Sequence, residues 1–356
     1  MLSTSLFGKV CCWDNLLLAW KNASKGKRGR ATTSDFEHQI ADKLLLLKKD
    51  LINGDYRPGK YHHFVIEELK RRRISAAPFR DRIVHHALCH VIEPEFEKRF
   101  IPTSYANRVG KGTHRAIDKF QYYCRQHKYV LRMDIVKHFA SIDHEILMKR
   151  LGIVIKDIPT LQLCRLIIDS GKNVHDQDRD YYAYPGDDLL DVCRNVGLPI
   201  GNLTSQFWSN CHLHSLDLFV LRELGCKSYI RYVDDFALFS NSKHELWQWR
   251  ERVATYLETL RLRPHDESQV HSVNNGSPWL GFVIFPNYRR IKGRVARHGI
   301  RRVRSRFEAW QKGDVSYAQF DDSVQGWINH VSHGDSFGLR MRVLGQMTWS
   351  GKYGRK

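Results

Sequence analysis

The stretch Tyr232-Val233-Asp234-Asp235 decides the fold. It sets two adjacent carboxylates between the apolar runs 228–233 and 236–239. Such flanks predict two β-strands, with Asp234 and Asp235 at the hairpin turn between them. A turn at the end of a sheet exposes both carboxylates, keeps them close and holds them on a rigid base. Like charges at that separation repel and call for a compensating cation. Hard oxygen ligands gathered at one point suit Mg²⁺, and the pair amounts to half of a two-metal phosphoryl-transfer site. Asp-Asp is also ordinary hairpin turn chemistry, so the pair needs further carboxylates before it signifies catalysis.

A third carboxylate is expected at the end of a neighbouring strand. Tyr129-Val130-Leu131-Arg132-Met133-Asp134-Ile135 supplies it. Leu131, Met133 and Ile135 alternate with Val130, Arg132 and Asp134, the period of two that marks a strand. The apolar side is expected to pack on helices while Asp134 faces a cleft. A strand carboxylate followed by a hairpin pair, in a strongly basic chain, is a nucleotidyl-transferase pattern.

The 356 residues hold 57 Lys and Arg against 38 Asp and Glu, a formal net charge of +19. That excess points to a polyanion, most simply nucleic acid. No segment has the pattern of a transmembrane or lipid-binding helix, and the N-terminus lacks the pattern of a signal peptide. The eight cysteines form no C-x-x-C pair and are expected as free thiols of a cytoplasmic protein. His86, Cys89 and His90 share a helical face, where packing is the expectation and zinc the alternative.

Working outward, residues 11–53 are expected to be helical. Trp13, Leu16, Leu17 and Trp20 form one stripe, residues 21–30 a basic loop, and 34–53 a helix capped by Ser34 and Glu37. Residues 61–67 and 74–78 are expected as strands around Lys70-Arg71-Arg72-Arg73, a cluster suited to clamping a triphosphate. Residues 81–93 are expected as an amphipathic helix stopped by Pro94. Residues 103–116, with Arg108 and Lys111, form a Gly-rich basic loop that opens a helix and can cradle phosphate. A helix is expected from Asp143, an exposed acidic loop over 171–191, a turn at 197–202 that opens a long helix, and an amphipathic helix over 243–262. Residues 279–285 are expected as a strand. Residues 287–312 carry ten basic residues and one acid, with Ile300, Val303, Phe307 and Trp310 at helical spacing. They are expected as a helix packed on one side and turned to phosphate on the other.

With these motifs in place the chain resembles a reverse transcriptase from about Tyr61 onward. Residues 129–143, 197–206 and 229–240 resemble that family's motifs A, B and C, and 279–286 its primer-grip hairpin. Gly201-Asn202-Leu203-Thr204-Ser205-Gln206 after Ile200 is similar to the motif B box of diversity-generating retroelement enzymes, and residues 79–89 and 104–114 agree with that type. The resemblance implies an α+β right-hand polymerase fold: an antiparallel-sheet palm, mainly helical fingers and a helical basic thumb. It divides the chain into a helical extension over 1–60, fingers over 61–128, a palm over 129–286 with a fingers segment at about 150–195, and a thumb over 287–356.

The resemblance also assigns roles. Asp134, Asp234 and Asp235 are the catalytic and metal-binding carboxylates, with the Ile135 carbonyl as a further ligand, for two Mg²⁺ ions that Mn²⁺ can replace. Lys70, Arg72, Phe139, Ile200, Gly201 and Gln206 are expected at the dNTP. Phe139 is the steric gate against a ribose 2′-OH, and Ile200 offers shape where other members offer a polar check. Tyr232, Trp279, Leu280, Gly281, Arg108 and Lys111 are expected at primer or template. The motif D lysine has no counterpart after Pro264, which leaves His265 or a basic group from elsewhere. Implied partners are template RNA, cDNA or primer, dNTPs and a small basic accessory variability protein, often pentameric, in a bacterial, archaeal or phage-encoded setting. The implied activity is error-prone copying of RNA into cDNA for mutagenic retrohoming. The rivals are a reverse transcriptase of antiphage defence, a retron or a group II intron, and a non-catalytic RNA-binding scaffold of polymerase fold.

Overall fold

A computed structural model describes residues 5–27, 29, 31–67, 71–172, 174–175, 182–188 and 190–347, apart from the side chain of residue 192. The N-terminal part is helical: α1 (Leu6–Val10), α2 (Trp13–Ser24), α3 (Ala31–Glu37) and α4 (Ile40–Asn53). A hairpin follows, β1 (His62–Glu67) and β2 (Arg71–Ala76), then α5 (Phe79–Glu97) and α6 (Thr113–Gln126). Next come β3 (Tyr129–Met133), α7 (His138–Ser141), α8 (His144–Val154), α9 (Ile158–Ser170) and α10 (Leu203–Leu218). The hairpin β4 (Tyr229–Tyr232) and β5 (Asp235–Ser240), α11 (Lys243–Thr259) and β6 (Gln269–Ser272) complete the central layer. The chain ends in β7 (Ser277–Trp279), β8 (Phe282–Ile284), β9 (Arg289–Ile291), α12 (Gly293–Lys312), α13 (Tyr317–Val331) and α14 (Phe337–Gly345). This is the mixed helix and antiparallel-sheet architecture expected of an α+β polymerase fold.

The central sheet has the order β4-β5-β3-β6, with antiparallel pairing between all neighbours. Its two faces are both covered. Leu131, Met133, Tyr229, Phe236 and Leu238 pack with α10 and α11, while Val130, Ile230, Ala237 and Phe239 pack with α6 and with Trp279 and Phe282. The strand at Asp134 is therefore apolar on both sides except at Arg132, rather than one-sided as its alternation suggests. Burying both faces leaves the strand ends as the place for exposed polar chemistry.

Helix α5 runs through Pro94 to Glu97 instead of stopping there. Proline in a last turn removes one donor but keeps helical φ, and burial of Ile92 and Phe96 holds the turn in place. The helix is also not amphipathic, since Ile83, Val84, Ala87, Leu88 and Cys89 bury it on several sides in the largest core. The helix expected from Ser34 is two helices, broken at His38 and Gln39, with Ser34 inside α3 rather than at a cap. The break lets Phe36 reach Phe79, ring centroids 5.3 Å apart, while Leu44, Leu47 and Leu51 turn inward from α4. Residues 279–285 form a hairpin, not one strand: Leu280 and Gly281 take φ of 42° and 90° in the turn between β7 and β8. The acidic loop is not simply exposed, because Val174, His175 and Tyr184 are buried. Among the described residues no helix is long and apolar enough to cross a membrane.

Candidate active site

The β4–β5 turn is as short as a hairpin allows. Tyr232 pairs with Asp235, so Val233 and Asp234 are the two turn residues. Val233 has φ of 58°, a conformation that a β-branched side chain resists. What holds it is Arg231, whose Nη1 donates to the Val233 carbonyl at 3.0 Å. Arg231 is fully buried and forked onto Asp217 of α10, Nε to Oδ1 at 2.7 Å and Nη2 to Oδ2 at 2.6 Å. Asn210 and Tyr229 complete the cluster, Arg231 Nη1 donating to Asn210 at 3.1 Å and the Tyr229 hydroxyl to Asp217 at 2.8 Å. Alternation could have exposed this pair: Arg231 lies on the inward side of its strand, where an unpaired cation is untenable.

Asp134 follows the end of β3. Continuing the β3–β5 register one step beyond Met133↔Phe236 sets Asp134 opposite Asp235. Its backbone is fixed from outside the sheet. The His265 N–H donates to the Asp134 carbonyl at 2.7 Å, and the Val136 N–H donates to the Arg263 carbonyl at 2.9 Å. The Ile135 N–H turns back to Asp134 Oδ1 at 3.0 Å, and Ile135 is itself buried. Arg132, two residues earlier, donates to both oxygens of Asp235 at 3.2 Å.

The electrostatics mark a site short of positive charge. Burial, then the neighbouring Asp134 and Asp235, push the Asp234 pKa up to about 7, with Arg72 pulling the other way. Burial also raises Asp235, to about 6, against Arg132 and the buried indole N–H of Trp279. Two raised carboxyls beside a third carboxylate are hard oxygen donors whose charge Arg132 and Arg72 only partly offset, which fits divalent cations. Among the described residues no three acidic, His or Cys side chains already stand as a closed cage, so a bound cation would have to draw the carboxylates together.

The residues expected at the dNTP are joined by one set of ties between β2 and the 197–202 turn. Asn202 is buried between β2 and the 197–202 turn: its Nδ2 donates to the Ser75 carbonyl at 3.2 Å and its Oδ1 accepts from the Ala77 N–H at 3.3 Å. The Ser75 N–H donates to the Ile200 carbonyl at 2.9 Å. Gly201 has φ of 109°, and a Cβ there would lie 2.7 Å from Ile74 Cγ2; glycine is required at this close approach. These ties carry Arg72 of β2 close enough to Asp234 to favour its ionised form. Gln206 is exposed although Thr204, Ser205, Phe207 and Trp208 around it are buried. Half-buried Phe139 on α7 accepts the Leu198 N–H at 2.7 Å, joining motifs A and B. Asn202 was not singled out from sequence, where it is one polar residue in a turn. Lys70 lies outside the described residues.

Other expected nucleic-acid contacts are placed differently. Trp279 is fully buried and stacked on Phe120 at 4.7 Å, so it supports the hairpin from beneath rather than touching a strand. Leu280 and Gly281 form the turn above it. Arg108 is turned inward: Nε donates to Glu97 at 2.9 Å and Nη1 to the Ile101 and Ser104 carbonyls at 2.6 and 2.9 Å. Lys111 donates to the Pro102 carbonyl at 2.7 Å and lies 5.1 Å from the Tyr105 ring. Both stiffen the 103–112 loop, which runs beside β4 through Tyr105 N–H to Arg231 O at 3.0 Å. The Tyr232 hydroxyl meets Thr113 at 2.9 Å. His86, Cys89 and His90 have packing roles, His90 hydrogen-bonding to Asn15 and Asn22.

Residues 67–284, more than half of the chain, match the family described as reverse transcriptase (RNA-dependent DNA polymerase). Protein YkfC of Escherichia coli is 26% identical over 310 residues, covering 74% of this chain and 75% of YkfC. The group II intron-encoded protein LtrA of Lactococcus lactis is 25% identical over 225 residues, 62% of this chain and 35% of LtrA. An uncharacterized 91 kDa protein in the cob intron of Schizosaccharomyces pombe is 28% identical over 184 residues. The match covers about a third of LtrA and 21% of the cob intron protein.

Proposed function

The chain belongs to the reverse transcriptase family of RNA-directed DNA polymerases, which use template RNA, dNTPs and divalent metal ions, and from that premise we propose how this member works. It extends a DNA primer on an RNA template at Asp134, Asp234 and Asp235, with two Mg²⁺ ions. The supporting observation is the set of three carboxylates on adjacent strand ends with Arg72 facing them. Bound at these carboxylates, divalent ions would supply a lowered pKa for the primer 3′-OH and charge neutralisation for the leaving pyrophosphate. Asp134 and Asp234 would hold the ions, with Asp235, steadied by Arg132, completing the carboxylate set. Arg72 binds triphosphate oxygens, and Phe139 closes the sugar pocket against a 2′-OH. Ile200 and Gly201 shape the wall beside the nascent pair, and Gln206 lines the same cleft.

We assign the enzyme to the diversity-generating retroelement type, with a template-bearing RNA and a small basic accessory protein as partners. Ile200 supports this. An apolar wall cannot reject a mispair by leaving a polar group unpaired, so discrimination weakens. Sequencing cDNA made from a defined RNA tests it: errors concentrated opposite template adenines, and reduced in Ile200→Asn, are expected. A flat, low error spectrum favours the second reading, a group II intron type of enzyme, which the likeness to LtrA supports.

A further inference from the structure

Helix α6 buries Ala116, Ile117, Phe120, Tyr123 and Cys124 toward the sheet and turns Arg115, Lys119, Tyr122 and Arg125 away from it. The 285–290 strand turn is tied to α6 at three points. Arg125 Nε donates to the Pro286 carbonyl at 2.8 Å, Gln121 Nε2 to the Phe285 carbonyl at 3.0 Å, and Arg289 pairs with Asp118 at 2.8 Å. That last pair neutralises the acid of the stripe.

What remains is an exposed alternation of rings and cations. Tyr122 is 46% exposed and Tyr288 41% exposed. Lys119 Nζ lies 4.2 Å from the Tyr122 ring centre. Phe285 and Tyr288 stack at 4.3 Å, nearly parallel, and the Arg290 guanidinium lies 5.2 Å from the Tyr288 ring. Rigid aromatic faces among unneutralised cations are what unpaired bases and their phosphates require. A duplex offers no exposed base faces to such rings, and a protein partner is not specifically called for by them. The surface lies across α6 and its core from the sheet that carries Asp134.

We propose that this outer face of α6 and the 285–290 turn binds single-stranded RNA, separately from the catalytic cleft. The site holds unpaired RNA by stacking on Tyr122 and Tyr288, with Lys119, Arg125 and Arg290 on its phosphates. It goes beyond the polymerase function and does not depend on the retroelement assignment.

The test uses the full chain with its cleft filled by excess blunt-ended RNA·DNA hybrid, and labelled oligouridylate as the probe. Wild type is expected to keep binding the probe. Tyr122→Ala and Tyr288→Ala each lose roughly tenfold in affinity, Tyr122→Phe retains it, and Lys119→Glu with Arg290→Glu flattens the salt dependence. Primer extension, measured separately on an RNA·DNA hybrid with a recessed DNA 3′ end, stays unchanged in all four. Complete displacement of the probe by hybrid overturns the proposal. So do alanine variants with unchanged probe binding, extension that falls in parallel with it, and a face that retains an acidic protein but not oligouridylate.

Discussion

Arg231 and Asp217 form a forked ion pair with neither side chain exposed, and the remaining Arg231 nitrogen holds the carbonyl of Val233 in the β4–β5 turn. The pair joins α10 to the hairpin that carries Asp234 and Asp235. Removing one partner strands a buried charge, which costs about 3–5 kcal/mol. Asp217→Asn is therefore expected to lower unfolding stability by that order in denaturant titration. The double variant Arg231→Met, Asp217→Leu recovers much of the stability, because both charges go. Its primer extension remains low, since the Val233 carbonyl has lost its donor. Full activity in the double variant would show that the turn holds itself.

Arg261 ties the acidic segment to the chain that runs beside the end of β3. Its guanidinium donates to Asp143 at 3.0 Å, Asp187 at 2.7 Å and Asp191 at 3.2 Å, and its own φ is 53°. Two to four residues later, Arg263 and His265 clamp Val136 and Asp134. Arg261→Gly keeps the left-handed backbone and removes only the cation, while Asp143 retains Arg194 at 3.3 Å. The expected outcome is slower extension that needs more divalent metal, with the dNTP KM unchanged and the melting temperature within a few degrees of wild type. Unaltered metal dependence would make the network purely structural.

The raised carboxyls give metal binding a pH signature. Asp234 and Asp235 titrate near 7 and 6 in the metal-free fold, against about 4 when unfolded. The folded state therefore holds more protons between pH 4 and 7, and this contribution to stability falls as pH rises through that window. A divalent ion relieves it only where the carboxyls are ionised. The rise in melting temperature on adding Mg²⁺ should be larger at pH 7.5 than at pH 5.5 in wild type. It should be much reduced in Asp234→Asn. His85 and His212, pushed down by burial to about 3 and 4, add stability above pH 6.5 that is lost on acidification. They lie in the core and cancel in the comparison with and without metal. A metal effect independent of pH would contradict the assignment.

Local pattern made much of this molecule readable. The apolar runs around Asp234 expose the hairpin, and the spacing of Ile300, Val303 and Phe307 exposes α12. Pro94 misled because burial of Ile92 and Phe96 outweighs one missing donor. Trp279 misled because an aromatic beside a turn can equally well be the floor of the hairpin. The ties that set the site join residues far apart in sequence: Asn202 to Ser75, Arg261 to Asp187, His265 to Asp134. None has a periodic signal: the first two are single polar side chains and the third a backbone hydrogen bond, and each partner is chosen by the fold.

Asp134 and Asp234 are proposed to carry metal-dependent DNA synthesis on RNA. Primer extension on an RNA template, with RNA binding measured in parallel, tests it most directly in wild type, Asp134→Asn and Asp234→Asn. Both variants are expected to bind the template with near wild-type affinity and to incorporate no nucleotide at any Mg²⁺ or Mn²⁺ concentration. Template-dependent extension by either variant in metal-supplemented buffer would contradict the account.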